Sequence, residues 1–420
     1  MSKMLKAVKN PYVFSVLSKF CIVLLGFGYT VCQSRYLGPS IKGDVAYISS
    51  ITQITSIVFG MGLHQAYPYY KKKRGVDVAP FFTKLTLLMV IIYTVIAVVL
   101  SAVIHGDFKI VAIFLMTPLL VYNRIVAYIN MVEAPNKKNA TELIADVVLL
   151  FAVVILWIAV PATVVWGVLL LVIKDLFLAI IYTYRLRQSI LTPVKIKMEE
   201  ILGVLKYGIY PMLALLMTTL NYRVDVIMLK QFVTSADVGI YSVGVMLAER
   251  VWMIPDALKE VMISNLAKGK GTDEVSFVIR ICNSACIIVV LGIIVLGQPF
   301  INIFFGMEYS SAYSVTVVIL IGVIFMVYYK MIGAYNIVEG KQKENFNYLI
   351  VSVICNVVLN AILIPMFGNI GAAIASIFSY AVSAGLFVRK FIRENPVKLK
   401  EMMLLNKNDI ERLKSILEKK

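Results

Sequence analysis

The sequence predicts an all-α polytopic membrane protein: about twelve transmembrane helices in two six-helix lobes around a central cavity. Three observations carry this. First, 60% of the 420 residues are hydrophobic and only 15% are charged, against roughly 45–50% and about 25% in a soluble domain. That leaves too little polar surface for a water-soluble globule and excludes a cytosolic enzyme. Second, the apolar residues gather in blocks such as Leu85–Ile104, Val147–Val165 and Cys282–Leu296, near the roughly 20 residues that cross a hydrocarbon core. Alternating barrel strands would leave a different pattern. Third, the cations are distributed asymmetrically between alternate connections.

In order along the chain, the spans fall near residues 11–33, 45–67, 82–104, 109–131, 141–160, 162–184, 207–229, 238–259, 278–297, 312–335, 345–365 and 369–389. Leu37-Gly38-Pro39, Pro135, Pro161, Gly269 to Gly271 and Pro365 punctuate them. The N-terminus shows no cleavable signal pattern, so Pro11–Cys32 reads as a retained first span. Of the 41 Lys and Arg residues, 31 lie on the N-terminal side, while the opposite loops hold only Arg35, Lys42, Lys109 and Lys230. Under the positive-inside rule both termini are then cytoplasmic, and Lys71–Arg74 is a topology anchor. The formal net charge of +17 is thereby absorbed by topology. With no aromatic–basic module or zinc-ligand set, nucleic acid is excluded as a partner. Cys21, Cys32, Cys282, Cys286 and Cys355 sit in apolar blocks and read as small hydrophobes.

The longest inside connection, 185–206, divides the chain into an N-terminal six-helix lobe (1–184), a linker, a C-terminal lobe (207–389) and a basic amphipathic tail (390–420). Gly43-Asp44-Val45-Ala46-Tyr47 before span two is echoed by Ala236-Asp237-Val238-Gly239-Ile240-Tyr241 before span eight. Six spans per half return the chain to its starting side, which suits parallel repeats about a membrane-normal axis. In the tail, Ile410, Leu413, Ile416 and Leu417 form an apolar face, so a short helix resting on the membrane surface is expected.

Ionisable residues inside spans mark function or pairing, because each costs several kcal/mol in lipid unless paired, hydrated or snorkelling. Six cations (Lys19, Arg124, Lys174, Arg223, Arg250, Lys330) and five acids (Asp146, Asp175, Asp225, Glu249, Asp256) lie at such depths. Lys19 shares a stripe with Ser15, Ser18, Ile22, Gly26, Tyr29 and Gln33; Ser49, Gln53, Ser56, Gly60 and His64 make a matching stripe in span two. Arg124 lies too deep to reach either interface easily. It reads as cavity-lining or as the partner of an acid such as Asp146, and Lys174 is the other candidate for that acid. Arg223 and Asp225 point almost oppositely from one helix, so Arg223 is expected to snorkel outward. Glu249 is placed as a deep carboxylate whose raised pKa would suit coupling to Na⁺ or H⁺ unless a cation stands beside it. Asp225 and Asp256 are the other acids of an ion-coupling set, and no cofactor is expected.

Two stretches resemble a known family. One is Arg35-Tyr36-Leu37-Gly38-Pro39 with Gly43 and a following Tyr. The other runs from Tyr207-Gly208-Ile209-Tyr210-Pro211 through Arg223-Val224-Asp225 and Val238-Gly239-Ile240-Tyr241-Ser242 to Leu247-Ala248-Glu249 and Trp252-Met253-Ile254-Pro255. They resemble the polysaccharide-type transporters, which include the O-antigen and capsule-unit flippases. These belong to the superfamily of multidrug, oligosaccharidyl-lipid and polysaccharide exporters. The motif-level match covers about 80 residues and the hydropathy match about residues 10–390; the two extra spans typical of the peptidoglycan lipid-precursor flippase are missing. The resemblance implies a flippase of the bacterial or archaeal cytoplasmic membrane. It would turn a polyprenyl-diphosphate-linked oligosaccharide across the bilayer by alternating access, with membrane lipids and other polysaccharide assembly proteins as partners. A diphosphate needs cations, Arg best, which makes Lys19, Arg124, Arg250 and Arg223 the substrate-binding candidates. The rival readings are a cation-coupled multidrug exporter of the same superfamily and, less favoured because the outer loops are short, a membrane enzyme of polysaccharide assembly.

Overall fold

The computed structural model describes residues 11–74, 77–103, 107–194, 196–269 and 271–418. Among these residues fifteen α-helices follow in order: α1 (Pro11–Gly60), α2 (Leu63–Arg74), α3 (Ala79–Val103), α4 (Phe108–Glu133), α5 (Pro135–Ala159), α6 (Val164–Arg185), α7 (Arg187–Leu191), α8 (Met198–Phe232), α9 (Ser235–Arg250), α10 (Met253–Ala267), α11 (Thr272–Phe304), α12 (Ala312–Ile321), α13 (Val323–Val338), α14 (Gln342–Glu394) and α15 (Lys407–Glu418).

Among the described residues nine helical segments are long and apolar enough to cross a membrane, and the bent pair α12–α13 is a tenth. The two longest segments each hold two crossings, which brings the number to twelve. In α1 the backbone leaves helical geometry at Gly38 (φ 66°) and in α14 at Gly368 (φ 53°), a left-handed region open to glycine. The chain reverses at both points. Gly26 and Tyr29 line one cavity with Ser49 and Gln53, and Lys42 donates to the Gln33 side chain across the bend. Ser352 hydrogen-bonds to Ser379, although 27 residues of straight helix would separate them by about 40 Å. Gly371 approaches so closely that a Cβ there would lie 2.1 Å from the Leu363 carbonyl oxygen. The result is an all-α polytopic membrane protein.

Two crossings are broken within the bilayer, where hydropathy shows continuous spans. Between α9 and α10 the bonds tighten to a three-residue step, Val251 N to Ala248 O and Trp252 N to Glu249 O. Pro255 explains the break, since it has no N–H and its ring collides with the carbonyl four residues back. Between α12 and α13 the chain bends by 48° at Gly322, where the Tyr380 ring would lie 2.9 Å from any Cβ.

The helices form two compact units, Met1–Thr219 and Leu220–Lys420. The boundary lies inside α8 rather than in the 185–206 connection. In the first unit, Tyr67, Phe82, Ile125, Ile129 and Tyr182 centre one apolar cluster, and Leu37, Val45, Leu149 and Leu170 a second. Gly167 lets α6 approach α1, with a Cβ there only 2.5 Å from Val45. The outer face of α3 exposes Leu88, Ile91, Ile92, Val95 and Val99, a surface suited to lipid. In the second unit Gly244 does the same for α9 and α12, its carbonyl accepting from Thr316 at 3.2 Å.

The tail makes contacts that its own pattern does not signal. Its helix α15 is latched to α11 by its charged face. Arg280 grips Asp409 with two bonds of 2.6 and 2.7 Å and donates to the Glu401 carbonyl. Arg412 pairs with Glu274 and stacks on Phe277, and Asn283 donates to the Met403 carbonyl. Ile410 stays exposed. The charged face of the tail thus meets residues about 130 positions upstream, while the side chains of Leu413, Ile416 and Leu417 in its apolar pattern lie outside the described residues.

Arg280→Ala strands a buried carboxylate, so it should cost roughly 3 kcal/mol and expose residues 399–412 to hydrogen exchange; Arg280→Ala with Asp409→Ala should recover part of the loss. Burial pushes the Asp409 carboxyl up, but Arg280, the Asn406 N–H and Arg412 more than offset it and hold it below the ordinary value. A lowered folded-state pKa contributes stability above the unfolded value, lost as pH falls through the folded one. The tail should therefore keep its exchange protection through mild acid and lose it only below the ordinary Asp pKa of about 3.9. Release near pH 6 would contradict the latch.

Candidate functional site

Each unit carries its own set of charged and polar side chains at membrane depth. In the first, a cavity of about 250 Å³ opens between α1, α4, α5 and α6, lined by Tyr29, Gln53, Asp146, Lys174 and Asp175 among others. Lys174 of α6 pairs with Asp146 of α5 at 2.5 Å, and Asp146 is almost wholly buried. The adjacent Asp175, about 100° round the helix, accepts from Asn123 of α4 at 3.0 Å. The two neighbours thus bind different helices.

Arg124 lies on the same helix as Asn123 but reaches the second crossing of α1, where it donates to the Ser56 hydroxyl at 3.1 Å. Thr55 and Thr117 tie the same two helices together at 2.9 Å. His64 packs edge-on to Tyr128, one turn beyond Arg124. Among the described residues no carboxylate pairs with Arg124. The alternative that Asp146 neutralises it is overturned, because Lys174 occupies that acid. Lys19 lies in the first crossing of α1, and its side chain falls outside the described residues.

The second unit gathers the remaining candidates. Arg223 of α8 pairs with Glu249 of α9 at 3.5 Å. This corrects the expectation that Arg223 snorkels outward, and it decides the open question for Glu249, which has a cation beside it. Half-buried on facing helices, the two charges cost less together than either would alone. Asp225, two residues from Arg223, takes a different set of partners: the Tyr241 hydroxyl, the Val226 N–H at 2.7 Å and Ser376 of α14 at 3.4 Å. Asn221, one turn back, accepts from Ser379. Asp256 bridges Lys330 at 2.7 Å and Lys259 at 3.0 Å. Lys330 also stands over the Trp252 ring, 5.0 Å from its centre. Arg250, the last residue of α9, has no ion pair or side-chain hydrogen bond among the described residues.

The five intramembrane cations with described side chains therefore differ in state. Lys174, Arg223 and Lys330 are matched by acids, and Arg124 and Arg250 are not. Sequence reasoning missed the aromatic wall of this second cluster, where Tyr222, Trp252 and Tyr380 pack with ring centres 4.9–6.4 Å apart. It also missed Asn123. Tyr380 comes from a helix more than 120 residues away, and no local pattern signals it.

The relation to known proteins follows. The family model described as polysaccharide biosynthesis protein matches residues 9–254. The chain belongs to the polysaccharide biosynthesis protein family. It is similar to the probable flippase AglR of Haloferax volcanii, 27% identical over 175 residues, or 39% of this chain. The alignment spans only 37% of that relative's length. Among solved structures, the lipid II flippase MurJ in an inward closed conformation superposes with a TM-score of 0.71 at 17% identity, covering 93% of this chain and 89% of that one. An inward-facing multidrug resistance MATE transporter of the MOP superfamily gives 0.66 at 14%, covering 90% and 98%. At such identities these two matches speak for the fold. This member of the polysaccharide biosynthesis protein family thus shares its architecture with flippases and exporters alike.

Removing Lys174 leaves Asp146 buried and uncompensated, so Lys174→Ala should cost roughly 3 kcal/mol and lower membrane abundance. Exchanging the two residues, Lys174→Asp with Asp146→Lys, should restore most of it. Arg124→Gln, which breaks no ion pair, should leave abundance near wild type by quantitative blotting.

Proposed function

We propose that this protein is a flippase that turns a polyprenyl-diphosphate-linked oligosaccharide across the cytoplasmic membrane by alternating access, for surface polysaccharide biosynthesis in a bacterium or archaeon. It is a transporter rather than an enzyme, with both termini in the cytoplasm. Family membership supports this reading, as does the likeness to a probable flippase. The single observation that carries it is the state of Arg124. A guanidinium held at membrane depth with a hydroxyl and no carboxylate as partner is costly unless an anion or water completes its shell. A diphosphate is such an anion, and its paired oxygens match the guanidinium fork.

Arg124 and Arg250, the two intramembrane cations without acids among the described residues, are the leading head-group contacts of their respective units. Lys19 is a third, and Arg223, already matched by Glu249, a fourth. The polyprenyl chain stays in the bilayer. For coupling to Na⁺ or H⁺, Asp225 is favoured over Glu249 and Asp256, because its partners are a hydroxyl pair and one amide, whereas the other two acids face cations.

Loss of the gene product should accumulate lipid-linked oligosaccharide on the inner leaflet. Unchanged lipids together with drug hypersensitivity would instead support the exporter reading, which the MATE likeness keeps in play. At matched protein levels, Arg124→Lys should lower polysaccharide output in part, Arg124→Ala by about tenfold or more, as loss of a charged hydrogen bond worth roughly 1.5–3 kcal/mol would, and Arg124→Glu should abolish it. Normal output from a well-expressed Arg124→Glu variant would remove the head-group role. For orientation, a cysteine at Lys72 should resist impermeant thiol reagents applied to intact cells.

A further inference from the structure

A second polar cavity, of about 400 Å³, lies at one end of the first unit, where α3 begins, α4 turns into α5, and α6 turns into α7. Its lining includes Lys137, Arg185, Arg187, Gln188, Glu133 and Asp77. The acids are already engaged. Glu133 takes Lys71 and the Tyr67 hydroxyl, and Asp77 accepts from the Ala79 N–H at 3.0 Å. The cations are not matched in this way. Arg185 spends one N–H on the Lys137 carbonyl at 2.8 Å, Arg187 lies over the Tyr184 ring at 4.5 Å, and Lys137 has no ion pair among the described residues. Three cations thus converge on a cavity in which Glu133 is already paired with Lys71 and Asp77 is the one further carboxylate of the lining.

The surface above the cavity is apolar. Leu176, Ile180 and Tyr184 of α6 are 46%, 65% and 64% exposed, and their spacing of four places them on one face. This stripe descends from the hydrophobic middle of α6 to Tyr184, which is itself part of the cavity lining. The end of the unit concerned is the one that carries Lys71, Lys72 and Lys73, the basic side of the topology. A cationic hollow at the foot of a lipid-facing apolar stripe has the form of a head-group site.

We infer that this cavity binds the phosphate of an anionic phospholipid of the adjacent leaflet, with Lys137, Arg185 and Arg187 on the phosphate and the acyl chain along Leu176, Ile180 and Tyr184. The inference is independent of the transported substrate. A free anion would use the same cations but not the stripe.

The purified full-length protein in neutral detergent would be titrated with phosphatidylglycerol, phosphatidylcholine or inorganic phosphate, with thermal midpoint and hydrogen exchange as readouts. Phosphatidylglycerol should raise the midpoint saturably and protect residues 130–138 and 184–191, while the other two should not. Lys137→Ala with Arg187→Ala, both at exposed positions, should weaken the effect by at least about tenfold. Lys343→Ala with Arg389→Ala removes equal charge from the other unit and should leave it intact. Equal stabilisation by phosphatidylcholine would overturn the site, as would equal loss in both double variants or protection elsewhere in the chain. Displacement of the lipid by inorganic phosphate at the same concentration would assign the cavity to a soluble anion and overturn the lipid reading. Should the first double variant be less stable without lipid, the exchange pattern of the wild type decides alone.

Discussion

The cost of an ionised side chain in hydrocarbon is the constraint on which the rest of this structure depends. Several kcal/mol separate a bare charge at bilayer depth from one that is paired or hydrated. The helices are arranged so that most of the charges meet a partner: Lys174 with Asp146, Arg223 with Glu249, Lys330 with Asp256. Each pair joins two different helices and therefore also fixes their rotation about their axes. A helix free to turn by 100° would move one of these groups into lipid. The pairs act as register pins in a medium where the hydrophobic effect provides none between helices. Against that background Arg124 stands out, since it has a hydroxyl where these three cations have a carboxylate.

A second constraint is the backbone. Within lipid each N–H and C=O needs a partner, so a crossing can be interrupted only where the freed groups are recovered. At Val251–Trp252 they are recovered by a three-residue hydrogen-bond step, and the interruption lies beside the charged and aromatic cluster of Glu249, Trp252 and Tyr380. The break re-aims the two halves of the crossing. Glu249 belongs to the segment that faces Arg223, while Asp256 belongs to the one that faces Lys330. A straight helix would hold both acids, seven residues apart, on one face, and they would compete for the same surroundings.

The tail obeys the same electrostatic logic outside the bilayer. Arg280, Glu274 and Asn283 on α11 are matched by Asp409, Arg412 and the Met403 carbonyl. The last segment of the chain thereby closes over the end of α11. α15 docks by its charged side, and Ile410 of its apolar pattern remains exposed.

What the sequence by itself determined is one-dimensional. The apolar blocks, the breaks at Leu37-Gly38-Pro39 and Pro365 and the distribution of Lys and Arg give the crossings and the points where they end, because the bilayer acts on each segment separately by length and polarity. Helical periodicity also gave directions, such as the divergence of Arg223 from Asp225. The tertiary structure alone decided which groups meet. Asp146 was open to either Arg124 or Lys174, and the choice of Lys174, 28 residues away, depends on how α5 and α6 rotate together. The bonds from Arg280 to Asp409 and from Ser379 to Asn221 span 129 and 158 residues, far beyond any local pattern. A helix shows in its sequence which face is polar. Which neighbour that face meets is settled by packing, through the approaches that Gly167, Gly244 and Gly371 permit.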